Sequence, residues 1–171
     1  FLKELDALQA DLFVVVAFRM LPKKVWEKPR LGTFNLHGSL LPQLRGAAPI
    51  HWAVINGLKE TGLTTFLIDE QIDTGKILLQ EKLTIQPEWT TGELHDALLP
   101  IGAQLVVDTA IGLAESSLSS RIQNNAEATH APKLTKENTR LDLKLSPAAL
   151  IRLIKGLNPF PFLIKVYIEE D

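Results

Sequence analysis

Two polar side chains at the end of a short apolar segment are the first feature of this chain that suggests chemistry. Asn35 and His37 stand two residues apart in the segment "TFNLH". If that segment is a strand, both side chains point to the same face. A histidine can transfer a proton near neutral pH, and an asparagine amide can donate to an oxygen that gains negative charge. An ordinary alternative is a histidine bound to a loop carbonyl and an asparagine in a turn. For this pair taken alone, the ordinary alternative is the commoner one.

A second candidate is Asp73, in the segment "DEQIDTGKI". Acidic loop residues are usually solvated or form turns. The triplet Asp-Thr-Gly is also found in aspartic proteases, but it occurs here once and in a chain patterned for a parallel sheet. A carboxylate beside His37 would stabilise the imidazolium or hold one tautomer of the ring. The spacing in sequence leaves open whether Asp73 reaches His37.

The elements around these residues predict an α/β fold. Apolar residues at helical spacing indicate a helix over 1–10, and the continuous apolar run 12–18 indicates a strand buried on both faces. Pro22 can begin a short helix through Trp26, and 33–36 follows as a second strand. This alternation predicts a mostly parallel sheet with crossover connections. Ligands of open α/β sheets bind at the carboxyl ends of the strands, which is where Asn35 and His37 would lie.

The rest of the chain continues with further helices and strands. The first turns of three helices are predicted at Pro49, at Thr90 or Thr91, and at Ser146 with Pro147. The predicted segments are a helix over 49–56, strands over 62–68 and 77–85, a helix over 91–113 that Pro100 and Gly102 could kink, a loop over 115–129, a helix over 147–155 and a strand over 163–168.

Two long motifs, in order, resemble a known enzyme family. They are "NLHGSLLPQLRGAAPIHWA" and "ETGLTTFLIDEQIDTGKIL". Together they resemble the formyltransferases that use 10-formyltetrahydrofolate, which have an Asn-x-His-x-Ser-Leu-Leu-Pro motif and a later Asp-Thr-Gly or Asp-x-Gly. The segment "RGAAPI" most resembles the members that act on methionyl-tRNA. The resemblance extends over nearly the whole chain and implies a Rossmann-like formyltransferase domain.

The resemblance also implies roles for individual residues. Asn35, His37 and Asp73 match the catalytic asparagine, histidine and aspartate of the family. The folate would be bound by Ser39, Leu40, Leu41 and Pro42, by the edge Arg19, Met20 and Leu21, and by the loop 67–73. Arg45 would hold a phosphate of the acceptor substrate or, as an even alternative, steady its own loop. No metal is needed for this chemistry.

The same resemblance predicts how the chain is divided. Residues 1–114 would be the C-terminal part of the catalytic domain, 115–136 a linker, and 137–171 the start of a tRNA-binding, OB-like β-barrel domain. We therefore expect this chain to be a fragment, without the front of the catalytic domain and most of the barrel. The tail is locally basic. A solvated face is the default for such charges, and contact with tRNA phosphates is the second interpretation.

These observations predict an enzyme that transfers a formyl group from 10-formyltetrahydrofolate to the α-amino group of methionine on initiator tRNA. Alternatives are a formyltransferase acting on a sugar-nucleotide or ribonucleotide amine, a hydrolase that releases formate, and a non-catalytic folate- or RNA-binding module. The net charge of −2 argues against a basic surface over the whole chain. The lack of cysteine excludes thiolate catalysis and fits the cytoplasm. We expect a monomer, and no apolar run approaches the roughly 20 residues that span a bilayer.

Overall fold

The computed structural model describes residues 1–16 and 20–159 of the chain. Within them a four-stranded sheet has the order β1-β2-β4-β5, and a separate two-stranded ladder joins β3 to β6. The strands are β1 (Phe13–Val16), β2 (Thr33–His37), β3 (Arg45–Gly46), β4 (Glu60–Leu67), β5 (Ile77–Thr84) and β6 (His130–Ala131). The helices are α1 (Leu2–Ala7), α2 (Lys23–Trp26), α3 (Pro49–Ile55), α4 (Thr91–Ala114) and α5 (Pro147–Leu157), and Asn125–Glu127 form one 3₁₀ turn.

The α/β class predicted from the sequence is confirmed, but the strand directions differ from the prediction. β1 and β2 are parallel, whereas β2 pairs with β4, and β4 with β5, in antiparallel directions. The sheet of the described residues is therefore mixed and not mostly parallel. The short loop 68–76 explains the antiparallel pairing of β4 with β5, because a short connection suffices for antiparallel neighbours but not for parallel ones.

The first strand is not buried on both faces as its apolar run suggested. Val14 and Val16 are 44% and 56% exposed, whereas Phe13 and Val15 are half-buried. β1 lies at the edge of the four-stranded sheet. Its outward-facing residues are not covered by the described part of the chain, so burial alternates along the strand with a period of two.

One face of the sheet packs against α4. Leu94, Leu98 and Leu105 of this helix are buried in the same hydrophobic cluster as Leu63 of β4. A hydrogen bond of 2.8 Å between the hydroxyls of Thr65 and Thr109 also joins β4 to α4. Neighbouring residues of a strand point to opposite faces of the sheet. The residues of β2 and β4 that alternate in sequence with those packed against α4 therefore point to the opposite face.

The helix α4 runs without interruption through Pro100 and begins with a capping box. The Thr90 hydroxyl accepts from the Glu93 N–H at 3.3 Å, and the Thr90 N–H donates to Glu93 Oε2 at 2.7 Å. The bond from the Thr90 N–H, and after it one of 2.8 Å that the Thr90 hydroxyl donates to the same carboxylate oxygen, hold the pKa of the Glu93 carboxyl below its usual value. By length and composition alone, α4 is the one helix of the described residues that could cross a membrane. α4 is thus an exception to the expectation that no apolar run approaches the length of a membrane span. It is weak evidence for a membrane helix, because core helices of soluble proteins share the same length and composition.

The segment after α4 returns to the sheet instead of leaving it. Arg121 and Ile77 exchange two backbone hydrogen bonds of 2.8 Å. β6 then pairs with β3 in parallel, with His130 opposite Arg45. Residues 121–131 are thus bound both to the start of β5 and to the loop after β2. The predicted domain limits stay a prediction, and the strand expected over 163–168 lies outside the described residues.

The capping box gives a test of the fold. We expect Thr90→Ala to lower the free energy of unfolding by about 1 kcal/mol, because the first turn of α4 loses the hydroxyl that accepts from Glu93. Urea denaturation followed by far-UV circular dichroism measures the change. Ser120→Ala is the control, because Ser120 is exposed and makes no side-chain hydrogen bond among those described. Equal stability of Thr90→Ala and the wild type would show that the cap is unimportant.

Candidate active site

The pairing of β2 places Asn35 and His37 on one face of the sheet, opposite the face that packs against α4. Asn35 lies between Val15 of β1 and Phe66 of β4, and His37 lies opposite Thr64. Directly paired residues of adjacent strands project to the same face. The His37 ring meets the Phe66 ring edge-on, with centroids 6.4 Å apart and an interplanar angle of 84°.

Hydrogen bonding fixes the orientation of the His37 ring. Its Nε2 lies 2.9 Å from the Leu44 carbonyl oxygen, and the ring is only 6% exposed. A carbonyl oxygen can only accept, so Nε2 carries the proton that it donates. The other ring nitrogen, Nδ1, lies 3.7 Å from Asp73 Oδ2. A second proton on His37 must therefore sit at Nδ1, on the side of Asp73.

Asp73 reaches His37, which the spacing in sequence had left open. The Gly46 N–H donates to Asp73 Oδ2 at 2.8 Å and holds the carboxylate in this position. Gly46 has a φ of +123°, and a Cβ at this position would lie 2.6 Å from the Ala131 carbonyl oxygen. A side chain there would push β3 away from β6. The placement of the carboxylate thus depends on a glycine in the loop after β2.

Asn35 completes the polar group of the site. Its Nδ2 donates to the Val15 carbonyl oxygen at 2.9 Å. An amide nitrogen carries two N–H groups, so this bond orients the amide and leaves the second N–H for another acceptor. Asn35 and Asp73 both line a cavity of about 280 Å³.

The wall of this cavity includes several residues that the resemblance had indicated for the folate. Met20 and Leu21 line one side, and the loop 68–73 contributes most of the other. Met20 is 72% exposed, so this edge of the cavity is open to solvent. Arg19, the third predicted residue of the edge, lies outside the described residues.

The Ser-Leu-Leu-Pro segment does not line the cavity. Ser39 and Leu41 are 1% and 3% exposed, and Leu40 and Pro42 are half-buried. The Thr64 hydroxyl donates to the Ser39 carbonyl at 2.7 Å and accepts from the Leu41 N–H at 3.1 Å. Within the loop, the Ser39 hydroxyl donates to the Gln43 carbonyl at 2.5 Å and the Gln43 N–H donates to the Leu40 carbonyl at 3.0 Å, which fixes the turn before Leu44. Direct contact of these four residues with folate stays a prediction.

Arg45 is buried and bound within the protein. It is 9% exposed, and its Nε and Nη2 donate to Gln123 Oε1 at 3.1 and 2.6 Å. Nη2 also donates to Asn125 Oδ1 at 2.9 Å. These contacts favour the alternative in which Arg45 steadies its loop. Contact with a substrate phosphate stays an untested prediction.

Sequence reasoning missed the residues that support the catalytic candidates. Gln123 binds both Arg45 and the backbone of the Asp73 loop. Thr64 holds the Ser-Leu-Leu-Pro segment. Gln123 lies in a segment rich in Ser and Asn that was interpreted as a linker, and no local pattern marks it. Thr64 was part of a correctly predicted strand, but only the pairing with β2 reveals its partner.

A second cavity adjoins the first. It has a volume of about 660 Å³ and includes Arg45, Thr74 and His130. Gly46, Gln71 and Ile72 belong to the walls of both cavities. A ligand in the second cavity could therefore approach one bound beside Asn35 and Asp73.

The three polar side chains suit transfer of an acyl group. The free amide N–H of Asn35 and a proton on His37 Nδ1 can stabilise an oxygen that becomes negative in the transition state. The Asp73 carboxylate balances the charge of a protonated His37 and can accept a proton. No side chain of this trio needs to become a covalent nucleophile.

Comparisons with known proteins agree with this chemistry. The family model described as formyl transferase matches residues 1–110. The chain is 51% identical to the methionyl-tRNA formyltransferase of Flavobacterium johnsoniae, covering 94% of this chain and 51% of that protein. It is 48% identical to the enzyme of the same name from Parabacteroides distasonis, covering 100% of this chain and 54% of that protein. The chain thus spans about half the length of the curated relatives it matches.

A solved structure supports the fold independently of close sequence similarity. The methionyl-tRNA formyltransferase from Clostridium thermocellum superposes with a TM-score of 0.74 at 19% identity, over 96% of this chain and 71% of that one. This likeness confirms the Rossmann-like fold with a mixed sheet. Since the family match spans well over half of its residues, the chain belongs to the formyl transferase family.

Proposed function

We propose that the protein containing this chain transfers a formyl group from 10-formyltetrahydrofolate to the α-amino group of methionine on initiator tRNA. The observation that carries the proposal is the pairing of His37 Nδ1 with Asp73 beside Asn35 at the cavity. The choice of substrate rests on relatives that are 46–51% identical and are named methionyl-tRNA formyltransferase. The enzyme would act in the cytoplasm.

The cavity suits the ring system of a folate. Its volume of about 280 Å³ lies near the lower end of ligand sites, which measure roughly 300–1,000 Å³. It would hold a flat heterocycle, with the rest of a longer ligand extending into solvent past Met20. Val15, Leu21 and Phe66 supply apolar walls, and the backbone of the loop 68–73 supplies hydrogen-bonding groups. When bound, the folate supplies a formyl group that is held on nitrogen in an amide bond.

Asn35 and His37 would stabilise the negative charge that builds on the formyl oxygen as an amine attacks. Asn35 donates through the amide N–H that the Val15 carbonyl leaves free. His37 donates through Nδ1, because the Leu44 carbonyl occupies Nε2. Each donor is held in place before the reaction begins, and preorganised donors stabilise such charge more than mobile water does.

Asp73 would balance the charge of a protonated His37 and help to remove the proton of the attacking amine. Its Oδ2 faces the ring at 3.7 Å, and the Gly46 N–H keeps it there. Oδ1 has no protein hydrogen bond among those described for the chain, so it can accept a proton from the amine directly or through water. The bond between the formyl carbon and the folate nitrogen then breaks, and that nitrogen takes up the proton that the amine has lost. The amine itself would arrive from the second cavity, which shares Gly46 with the first.

The direct test of the proposal is a formylation assay. The whole protein is incubated with 10-formyltetrahydrofolate and, in separate reactions, with methionyl initiator tRNA, a sugar-nucleotide amine or glycinamide ribonucleotide. We expect turnover with the charged tRNA. Faster turnover with either small amine would contradict the choice of substrate, and folate binding without any transfer would indicate a non-catalytic module.

Loss of either oxyanion donor should abolish most of the activity. We expect Asn35→Ala and His37→Ala each to lower kcat by about 10²- to 10³-fold, the usual cost of one such donor. Asn56→Ala and His95→Ala are matched controls, because both residues are exposed. Circular dichroism verifies that the variants are folded. Turnover close to that of the wild type in either variant would exclude the proposed role of that residue.

Removal of the Asp73 charge should lower the rate of formyl transfer. Asp73→Asn keeps the size of the side chain but no longer balances the charge of a protonated His37. We expect a fall in kcat of about 10²-fold or more, because a positioned acid or base typically contributes roughly 10²- to 10⁴-fold. A kcat equal to that of the wild type would contradict the proposed role of Asp73.

Binding of the tRNA should depend strongly on salt. We expect the affinity to fall steeply between roughly 50 and 200 mM salt, because contacts with phosphates release counterions. The double variant Lys136→Gln/Lys144→Gln, in the basic segment, should reduce the slope of log affinity against log salt concentration by about one to two. Lys24→Gln in α2 is the control. A flat salt dependence in the wild type would show that the basic segment does not bind phosphates.

A further inference from the structure

The side chain of Gln123 makes four hydrogen bonds that connect two loops of the site. Its Oε1 accepts from Arg45 Nε and Nη2 at 3.1 and 2.6 Å. Its Nε2 donates to the carbonyl oxygens of Asp73 and Gly75 at 2.9 and 2.8 Å. Gln123 is 6% exposed. A reversed amide would set its NH₂ against the guanidinium and its oxygen against two carbonyls. Only one orientation of the Gln123 amide therefore satisfies these partners.

The bonds to Asp73 and Gly75 hold a backbone that is otherwise unfavourable. Asp73 has a φ of +56°, in the left-handed region that non-glycine residues seldom adopt. At Gly75 a Cβ would lie 1.6 Å from the Leu67 carbonyl oxygen, so this loop must close tightly on the end of β4. Gln123 therefore fixes the direction of the peptide that carries the Asp73 carboxylate.

The bonds to Arg45 hold the segment that donates the hydrogen bond to the Asp73 carboxylate. Arg45 precedes Gly46, whose N–H binds the Asp73 carboxylate. The Arg45 N–H itself donates to the Thr129 carbonyl at 2.9 Å, and Asn125 accepts from its guanidinium. The segment that contains Gln123 thus positions both the donor and the acceptor of the bond between Gly46 and Asp73.

We propose that Gln123 is a positioning residue that holds the Asp73 carboxylate against Gly46 and His37 by connecting the backbone of the Asp73 loop to Arg45. It does not line either cavity, so it acts through Asp73 and not on a ligand. Gln123 lies beyond residues 1–110, the part that matches the family model. The catalytic geometry therefore depends on residues outside that match. The consequence for turnover rests on the proposed formyl transfer.

The variant Gln123→Glu tests the positioning role. It keeps the size of the side chain and the oxygen that faces Arg45, but it replaces the donor to Asp73 and Gly75 with a second oxygen. We expect kcat for methionyl-tRNA to fall on the order of 10- to 100-fold, with the KM for the formyl donor changed by less than about threefold, because a misplaced catalytic group slows the reaction more than it weakens binding. Gln86→Glu is the matched control, because Gln86 is exposed.

A second measurement does not depend on any activity. In ¹⁵N-labelled protein, the amide proton of Gly46 reports its hydrogen bond to the Asp73 carboxylate. We expect its resonance to move upfield in Gln123→Glu and to stay in place in Gln86→Glu, while the amide of Thr65 in β4 is unchanged in both. If Gln123→Glu does not fold, Gln123→Asn provides the same comparison, because its shorter amide cannot span the distance between Arg45 and the two carbonyls.

The outcomes separate this inference from the proposed function. A lower kcat together with a shifted Gly46 resonance supports the positioning role. A folded Gln123 variant with the kcat and the Gly46 resonance of the wild type overturns it. A wild-type protein that does not formylate methionyl-tRNA overturns the proposed function, and the Gly46 resonance then still decides whether Gln123 positions Asp73.

Discussion

The antiparallel pairing of β2 with β4 is the constraint on which the site depends. It sets His37 opposite Thr64 and Asn35 opposite Phe66, and so decides which side chains share a face. A shift of this register by one residue would turn Asn35 and His37 towards α4 and bury them among leucines. The same pairing directs the loop after β4 back across the open face, where Asp73 meets the ring of His37.

Above the sheet, the loops are held mainly by polar side chains whose hydrogen bonds are satisfied within the protein. Thr64, Gln123 and Arg45 are all buried, and each connects segments far apart in sequence. Buried polar groups cost free energy unless they find partners, so they favour the single arrangement in which every donor meets an acceptor. Apolar packing alone would hold these loops with less directional precision.

The sequence predicted the elements better than their arrangement. Alternation of helix and strand signals located β2, β4, β5 and α4, because periodicity and caps are local properties. The sequence did not predict the antiparallel direction of β4, nor the exposed face of β1, because both depend on which strands become neighbours. Asn35, His37 and Asp73 were predicted as site residues through their motifs, and the structure brings them to one face of the sheet. Gln123 was not, because its role follows only from distant partners and a glutamine in a polar segment has no local signature.

The return of residues 121–131 to the sheet also bears on how the site forms during folding. Gln123 and Arg45 are 78 residues apart, and the Leu44 N–H donates to the Thr129 hydroxyl oxygen across 85 residues. Contacts of such high sequence separation bear a large loop-closure entropy and form late. As the chain leaves the ribosome, the sheet can pair before this segment has been made. The scaffold can thus assemble first, and the arrangement of Asn35, His37 and Asp73 is completed when this segment docks.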